Sequence, residues 1–413
     1  MVSIRERTAK ASGKLDAFAG FSQEFHLLLL CLRWPLSQAD RHAMEVAGDH
    51  EFDWQHFLAL VRRHRVAGLV ARALRLAGVV LPPGAAPALR KLAAASTMQA
   101  MALSVESLRL SRLLTANGVP AQFLKGPALA VLAYGDMTVR HSKDMDVLVP
   151  PGAVERAADT LRKAGYQPSF DLRGVPAERR ALWFRYAKAM DWIHTGTAAQ
   201  LELHWRLTDP ALLQEEPGTG QAQQVALTAG QSLPTLPPDA LLAYLCVHGA
   251  MHGWMRLKWL ADVYALLPHE PVACEQAYRR LLRLNAGRSA GQAFLLCHEL
   301  FGLPLPPALL RELERSPVLL YLRRSALRLL RRGGEVAEVD DLPFGTTSVY
   351  LSRLLLGSGA RQLLLELRTW GFRPDELLRS RLPRRLLFLF PLVRLGSWVR
   401  ERLRHGGRSP HAH

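Results

Sequence analysis

The chain has 413 residues, 49% of them hydrophobic and 22% charged, which excludes a largely disordered polypeptide and leaves enough apolar mass for two or three packed units. Lys plus Arg number 53 against 36 Asp plus Glu, a formal charge of +17, so polyanions are the favoured partners: nucleoside triphosphates, nucleic acid or an anionic membrane surface. Four cysteines, Cys31, Cys246, Cys274 and Cys297, lack C-x-x-C spacing, which argues against a disulfide framework or thiolate zinc site and for a reducing, cytoplasmic setting. The opening residues, MVSIRERTAKASGKLD, carry no apolar stretch behind their charges, and no run reaches the ~18 apolar residues of a spanning helix.

From residue 17 to about 115, apolar positions recur at three and four spacing, which predicts helix after helix punctuated by Pro35, Pro82 and Pro83. After Pro120 the texture changes to short strand-like runs, AQFL, DMDVLV, AMDWIHT and QLELHWRL, interleaved with the helical PALAVLAYG and GAVERAADTLRKAG. Such alternation predicts an α/β-type core on a small mixed sheet. The Gly-, Gln- and Thr-rich residues 215–235 read as a long connection, helical periodicity returns to about 330, and an Arg-rich tail follows. The fold class expected is therefore α+β, with an N-terminal helical region over 1–110, a core over 111–214, a helical domain over 215–330 and a basic segment over 331–413. Residues 317–413 hold 18 Arg, no Lys and 8 acids. Their run RRLLFLFPLVRLGSWVRERLRH sets arginines beside large apolar groups, which suits peripheral contact with an anionic membrane, or a terminal helix packed on the body.

Chemistry concentrates in FLKGPALAVLAYGDMTVRHSKDMDVLV. Asp144 and Asp146 are one residue apart in an apolar run, and the two-residue strand period sets both carboxylates on one face, where paired acids can hold a divalent cation. Lys125-Gly126 closes a strand and opens a helix at Pro127, so backbone amides there would face an anion. In QLELHWRL the same alternation groups Glu202 with His204 and turns Leu201 and Leu203 the other way. Carboxylates from two strands beside a phosphate-holding turn are a two-metal nucleotidyl-transfer layout. His248 and His252, at i and i+4, share a helix face but lack the H-E-x-x-H pattern of a zinc site and read as packing or acceptor-side residues with Trp254 and Trp259. Asp262, four positions after Lys258, is placed to pair with it or to cap the structure, and a functional role stays equally open. Loops of the G-x-x-x-x-G-K-[ST], G-x-G-x-x-G and G-x-S-x-G types are absent, as is a kinase H-R-D signature.

Taken together, Leu124-Lys125-Gly126, Tyr134, Arg140, Asp144-Met145-Asp146 with Val147-Leu148-Val149, Glu202-Leu203-His204-Trp205 and HGAMHGWMRLKWLAD resemble the polymerase-β-like nucleotidyltransferase superfamily, and within it an uncharacterised nucleotidyltransferase family. The resemblance spans roughly residues 20–400 and is strongest over 120–265. It implies transfer of NMP from an NTP to an acceptor, with pyrophosphate leaving. Asp144, Asp146 and Glu202 would hold Mg²⁺, with Mn²⁺ as the substitute, and would be the catalytic set; Lys125, Gly126, Arg140 and His204 would contact the nucleotide. One departure stands out: the superfamily usually has Gly-Ser at the phosphate turn, where this chain has Lys125-Gly126. The acceptor is left open among small molecule, sugar, protein and RNA, although no aromatic-and-basic strand motif favours RNA. The alternative is a non-catalytic nucleotide-binding or membrane-associated accessory protein on the same scaffold.

Overall fold

Capping side chains open two of the first three helices. Ser22 accepts from the Phe25 N–H ahead of α1 (Gln23–Cys31); α2 (Gln38–Glu45) follows; and Asp53 accepts from the Gln55 and His56 N–H groups ahead of α3 (Trp54–His64). Next come α4 (Ala67–Leu76) and the long α5 (Ala85–Ala116). The computed structural model describes residues 20–45, 52–208, 222–332, 347–357 and 359–371, with 213, 389, 390, 392 and 396 besides. Gly68 on α4 lies against the backbone of Val139, where an added Cβ would come within 2.4 Å of the carbonyl oxygen. A side chain there would push α4 off the segment that leads into Arg140 and Asp144.

The core begins with β1 (Gln122–Phe123) and α6 (Gly126–Tyr134), then β2 (Met145–Leu148), α7 (Val154–Lys163), β3 (Tyr166–Pro168), α8 (Ala177–Tyr186), β4 (Ala189–His194) and β5 (Gln200–His204). The five strands form one mixed sheet in the order β1-β2-β5-β4-β3, with only the β2–β5 pair parallel. Strand alternation gives its faces different tasks. Val147, Met190, Trp192, Leu201 and Leu203 point to one side, into a cluster with Leu110 of α5, Leu161 of α7 and Trp183 of α8. Asp146, Glu202 and His204 point to the other.

Residues 222–235, read from sequence as part of a connection, instead form a hairpin, β6 (Gln223–Thr228) with β7 (Gln231–Thr235), whose turn takes Gly230 at φ +75°. It lies against α6 and β1. Beyond it run α9 (Pro238–Met251), α10 (Leu257–Leu266), α11 (Pro271–Arg283), α12 (Gly287–Phe301), α13 (Pro307–Glu314), α14 (Pro317–Arg332), α15 (Thr347–Leu356) and α16 (Ala360–Gly371). Helices from both ends of the chain share one apolar core: Leu28, Phe57 and Val70 belong with Leu241, Val263, Phe294 and Leu322. Leu148, two residues beyond Asp146 on the same strand face, joins that core. The acidic face of the sheet is thereby turned toward the helices after residue 236.

The four cysteines are buried and unbridged. No helix among the described residues is long and apolar enough to cross a membrane. Apart from isolated positions, the run 384–405 proposed from sequence for membrane contact lies outside the described residues.

Candidate active site

The turn after β1 is fixed from two sides. The Leu124 N–H donates to the Asp146 carbonyl at 3.0 Å, tying the turn to β2, and Lys125 occupies the N-cap of α6. Gly126 follows at φ +69°, a left-handed conformation in which an L side chain is strained, although an added Cβ would meet no atom within 4 Å. The glycine is required by backbone geometry and not by crowding.

Sheet register places the acids. Asp146 on β2 lies directly opposite Glu202 on parallel β5, and Glu202 lies opposite Asp191 on antiparallel β4, so the three form a row across adjacent strands on one face. Leu148 faces His204 in the same register. The His204 Nε2 lies 3.4 Å from Asp146 Oδ1 and 3.3 Å from Glu202 Oε2, at full burial and without hydrogen-bond geometry to either. One ligand atom from each of Asp146, Glu202 and His204 falls within 4.8 Å of the others. Two carboxylates and an imidazole within that reach are a donor set that suits a divalent cation once the ring is neutral, since the carboxylates otherwise hold it charged as their own partner. Asp144 precedes β2 in a bend and not within the strand, so its approach to the site owes nothing to strand period. Its carboxyl is nevertheless close enough to interact electrostatically with both Asp146 and Glu202.

Lysines stand beside these acids. Lys125 Nζ is 3.0 Å from Asp146 Oδ1, and Lys188 Nζ is 3.3 Å from Glu202 Oε1. Burial opposes ionisation of Asp146, but Lys125 and His204 outweigh it and hold the carboxyl below its usual range. Burial likewise opposes charge on Glu202, and His204 followed by Lys188 drive it well below the ordinary value. Asp144 moves the other way, raised first by burial and then by the Asp146 charge. For His204 burial disfavours the charged ring, yet the Glu202 and Asp146 carboxylates raise it overall. Carboxyls whose environments separate them in this way single the cluster out as the candidate site.

Arg140, expected to bind phosphate, is placed differently. Its guanidinium is buried and donates twice to Asp262, Nε to Oδ1 and Nη2 to Oδ2 at 2.9 Å each, while Nη1 donates to the Ser142 hydroxyl. Asp262 also accepts from the Tyr134 hydroxyl at 3.0 Å. Asp262 thus meets Arg140 and Tyr134 and makes no ion pair with Lys258, its neighbour four residues earlier; the expected local pair is replaced by one spanning 122 residues. A bidentate fork with a buried carboxylate satisfies the donors that would otherwise reach a phosphate.

His248 on α9 and His252 at its C-cap cluster with Trp259 of α10: the two imidazoles are tilted with centroids 4.7 Å apart, His252 is tilted against Trp259 at 5.1 Å, and His248 meets Trp259 edge-on at 5.6 Å. Neither joins a group of three metal-type ligands among the described residues. Desolvation and then Lys125 lower His248, and the Lys188 and Lys125 charges act in the same direction on His252, whose side chain is exposed at the helix end. Both therefore feel the lysines of the acid site. Lys188, Asp191 and Tyr244 complete its surroundings and were missed from sequence. The Lys125 Nζ lies 5.9 Å from the Tyr244 ring centre. Period-2 alternation in AMDWIHT was the signal available for Asp191; none pointed to Lys188.

A family model described as an uncharacterised nucleotidyltransferase matches residues 50–302, which covers the turn, the acid strands, the hairpin and α9 to α12. No curated protein matches the chain. With more than half of its length matched, including every residue of the acid site, the chain belongs to this nucleotidyltransferase family.

Proposed function

We propose that this protein is a metal-dependent nucleotidyltransferase that moves NMP from an NTP to a hydroxyl-bearing acceptor. The observation that carries the reading is the cross-strand pair Asp146 and Glu202 converging with His204 beside the Lys125-Gly126 turn. Asp144, Asp146 and Glu202 would hold Mg²⁺, for which oxygen donors are the fitting set, with Mn²⁺ as the substitute. When bound, the cation would offset charge on the phosphate oxygens. His204, wedged between two of the carboxylates, orients them.

In this reading the acceptor oxygen forms a bond to the α-phosphorus, the bond from that phosphorus to the bridging oxygen breaks, and pyrophosphate leaves. Glu202, partly open to solvent, would accept a hydrogen bond from the acceptor hydroxyl and orient it, and the hydroxyl proton leaves to water, because a carboxylate held this far below its ordinary range is too weak a base to keep it. The glycine at 126 lets backbone amides of the turn approach phosphate closely. Arg140, joined to Asp262 and Tyr134, positions the segment that carries Asp144.

The lysine on each strand carboxylate favours one second reading, a nucleotide-binding accessory protein with internally neutralised acids. One experiment separates the two. Purified protein is incubated with each α-phosphate-labelled NTP, Mg²⁺ or Mn²⁺, and a cell extract. The enzyme reading expects pyrophosphate release and label on an acceptor, both lost in EDTA. A thermal shift with nucleotide, but no pyrophosphate and no labelled acceptor with any NTP, would leave only the binding reading.

A further inference from the structure

Around the acid face the cations sort by partner. Lys125 is paired with Asp146, Lys188 with Glu202, and Arg140 with Asp262. Lys258, in the first turn of α10, is nine-tenths buried and makes neither a hydrogen bond nor an ion pair with a described residue, because Asp262 is occupied by Arg140 and Tyr134. Its ammonium nevertheless interacts electrostatically with the carboxylates of Asp262 and Asp144, and with Arg140, Lys125, His141 and His248. A buried amine with carboxylates nearby but none in direct contact is costly to keep charged, and cations gathered at a helix N-terminus make the same place attractive to an anion.

We propose that Lys258 is a phosphate-binding residue of this site, its ammonium receiving the polyphosphate tail of the nucleoside triphosphate, the part that leaves as pyrophosphate. The proposal rests on the nucleotidyl-transfer reading for the identity of its ligand, but not on the metal or on turnover. An incoming phosphate supplies the contacting partner that Asp262, held by Arg140 and Tyr134, does not, and the α10 N-terminus adds the positive end of its dipole. Burial, and then the Arg140 charge, lower the Lys258 amine to about 7, so a large share of it is unprotonated and reactive toward acylating reagents at neutral pH until an anion engages it.

The test uses inorganic tripolyphosphate in EDTA at physiological salt, titrated calorimetrically against the full chain and Lys258→Met. Loss of a charged contact should weaken binding about tenfold or more, with the variant melting at or above the wild-type temperature. In parallel, wild-type protein is treated briefly with acetic anhydride near pH 7, and Lys258 acetylation is read by mass spectrometry; tripolyphosphate should protect it several-fold. This second readout needs no variant and would not respond to a merely structural lysine. Equal affinity in Lys258→Met, or an acetylation rate at Lys258 indifferent to tripolyphosphate, would overturn the assignment. Failure of transfer chemistry would leave the binding result standing, and failure here would leave the carboxylate site untouched.

Discussion

Asp146→Asn should lower metal-dependent pyrophosphate release by about a thousandfold, the order expected when the central ligand of a catalytic cation loses its charge. The carboxylate is buried, faces Glu202 across the β2–β5 pair, and sits between Lys125 and His204. Asparagine keeps its volume, and the β2 backbone bonds that tie in the Leu124 turn do not involve the side chain. The fold should therefore persist, which far-ultraviolet circular dichroism and the melting temperature would record. Turnover within about tenfold of wild type would mean that Asp146 is no more than the buried counterion of Lys125.

The second large effect is on stability. Asp262→Ala strands the Arg140 guanidinium, whose side chain is 3% exposed opposite a carboxylate 1% exposed, and breaking one partner of such a pair costs about 3–5 kcal/mol. By contrast, the surface pair Arg162 with Asp159, whose acid is 69% exposed, falls in the class worth at most about 1 kcal/mol. Urea denaturation should rank the two variants in that order. The double variant Arg140→Met with Asp262→Leu should recover most of the loss, because neither member of the pair is then left buried and charged without the other. An Asp262→Ala midpoint matching that of Asp159→Ala would show that the pair does not hold the core sheet to α10.

Strand period alone placed part of the candidate site on one sheet face. Glu202 and His204 alternate with Leu201 and Leu203 in the sequence, and the sheet divides them as that alternation requires. The helix opening at Lys125-Gly126 was legible for a similar reason, since a glycine before proline at the end of an apolar run has few other uses. Partners distant in sequence were not legible. Arg140 looked free to bind phosphate because nothing local reveals a carboxylate 122 residues away, and Lys258 looked paired because Asp262 stands four positions on. Asp144 reached the site by a bend that period-2 reasoning does not describe. The β6–β7 hairpin escaped because its strands hold Gln, Ala, Thr and Ser, with Val225 and Leu233 the fully buried apolar pair.

The central claim is that the Asp146, Glu202 face binds a divalent cation, and Mn²⁺ titration followed by electron paramagnetic resonance tests it most directly. Free Mn²⁺ gives the sharp signal and bound Mn²⁺ loses it, so no substrate, acceptor or turnover is needed. Wild-type protein should bind Mn²⁺ saturably, with added Mg²⁺ displacing it, and both Asp146→Asn and Glu202→Gln should bind far more weakly. Binding unchanged in both variants, or no binding by the folded wild-type chain at millimolar Mn²⁺, would contradict it.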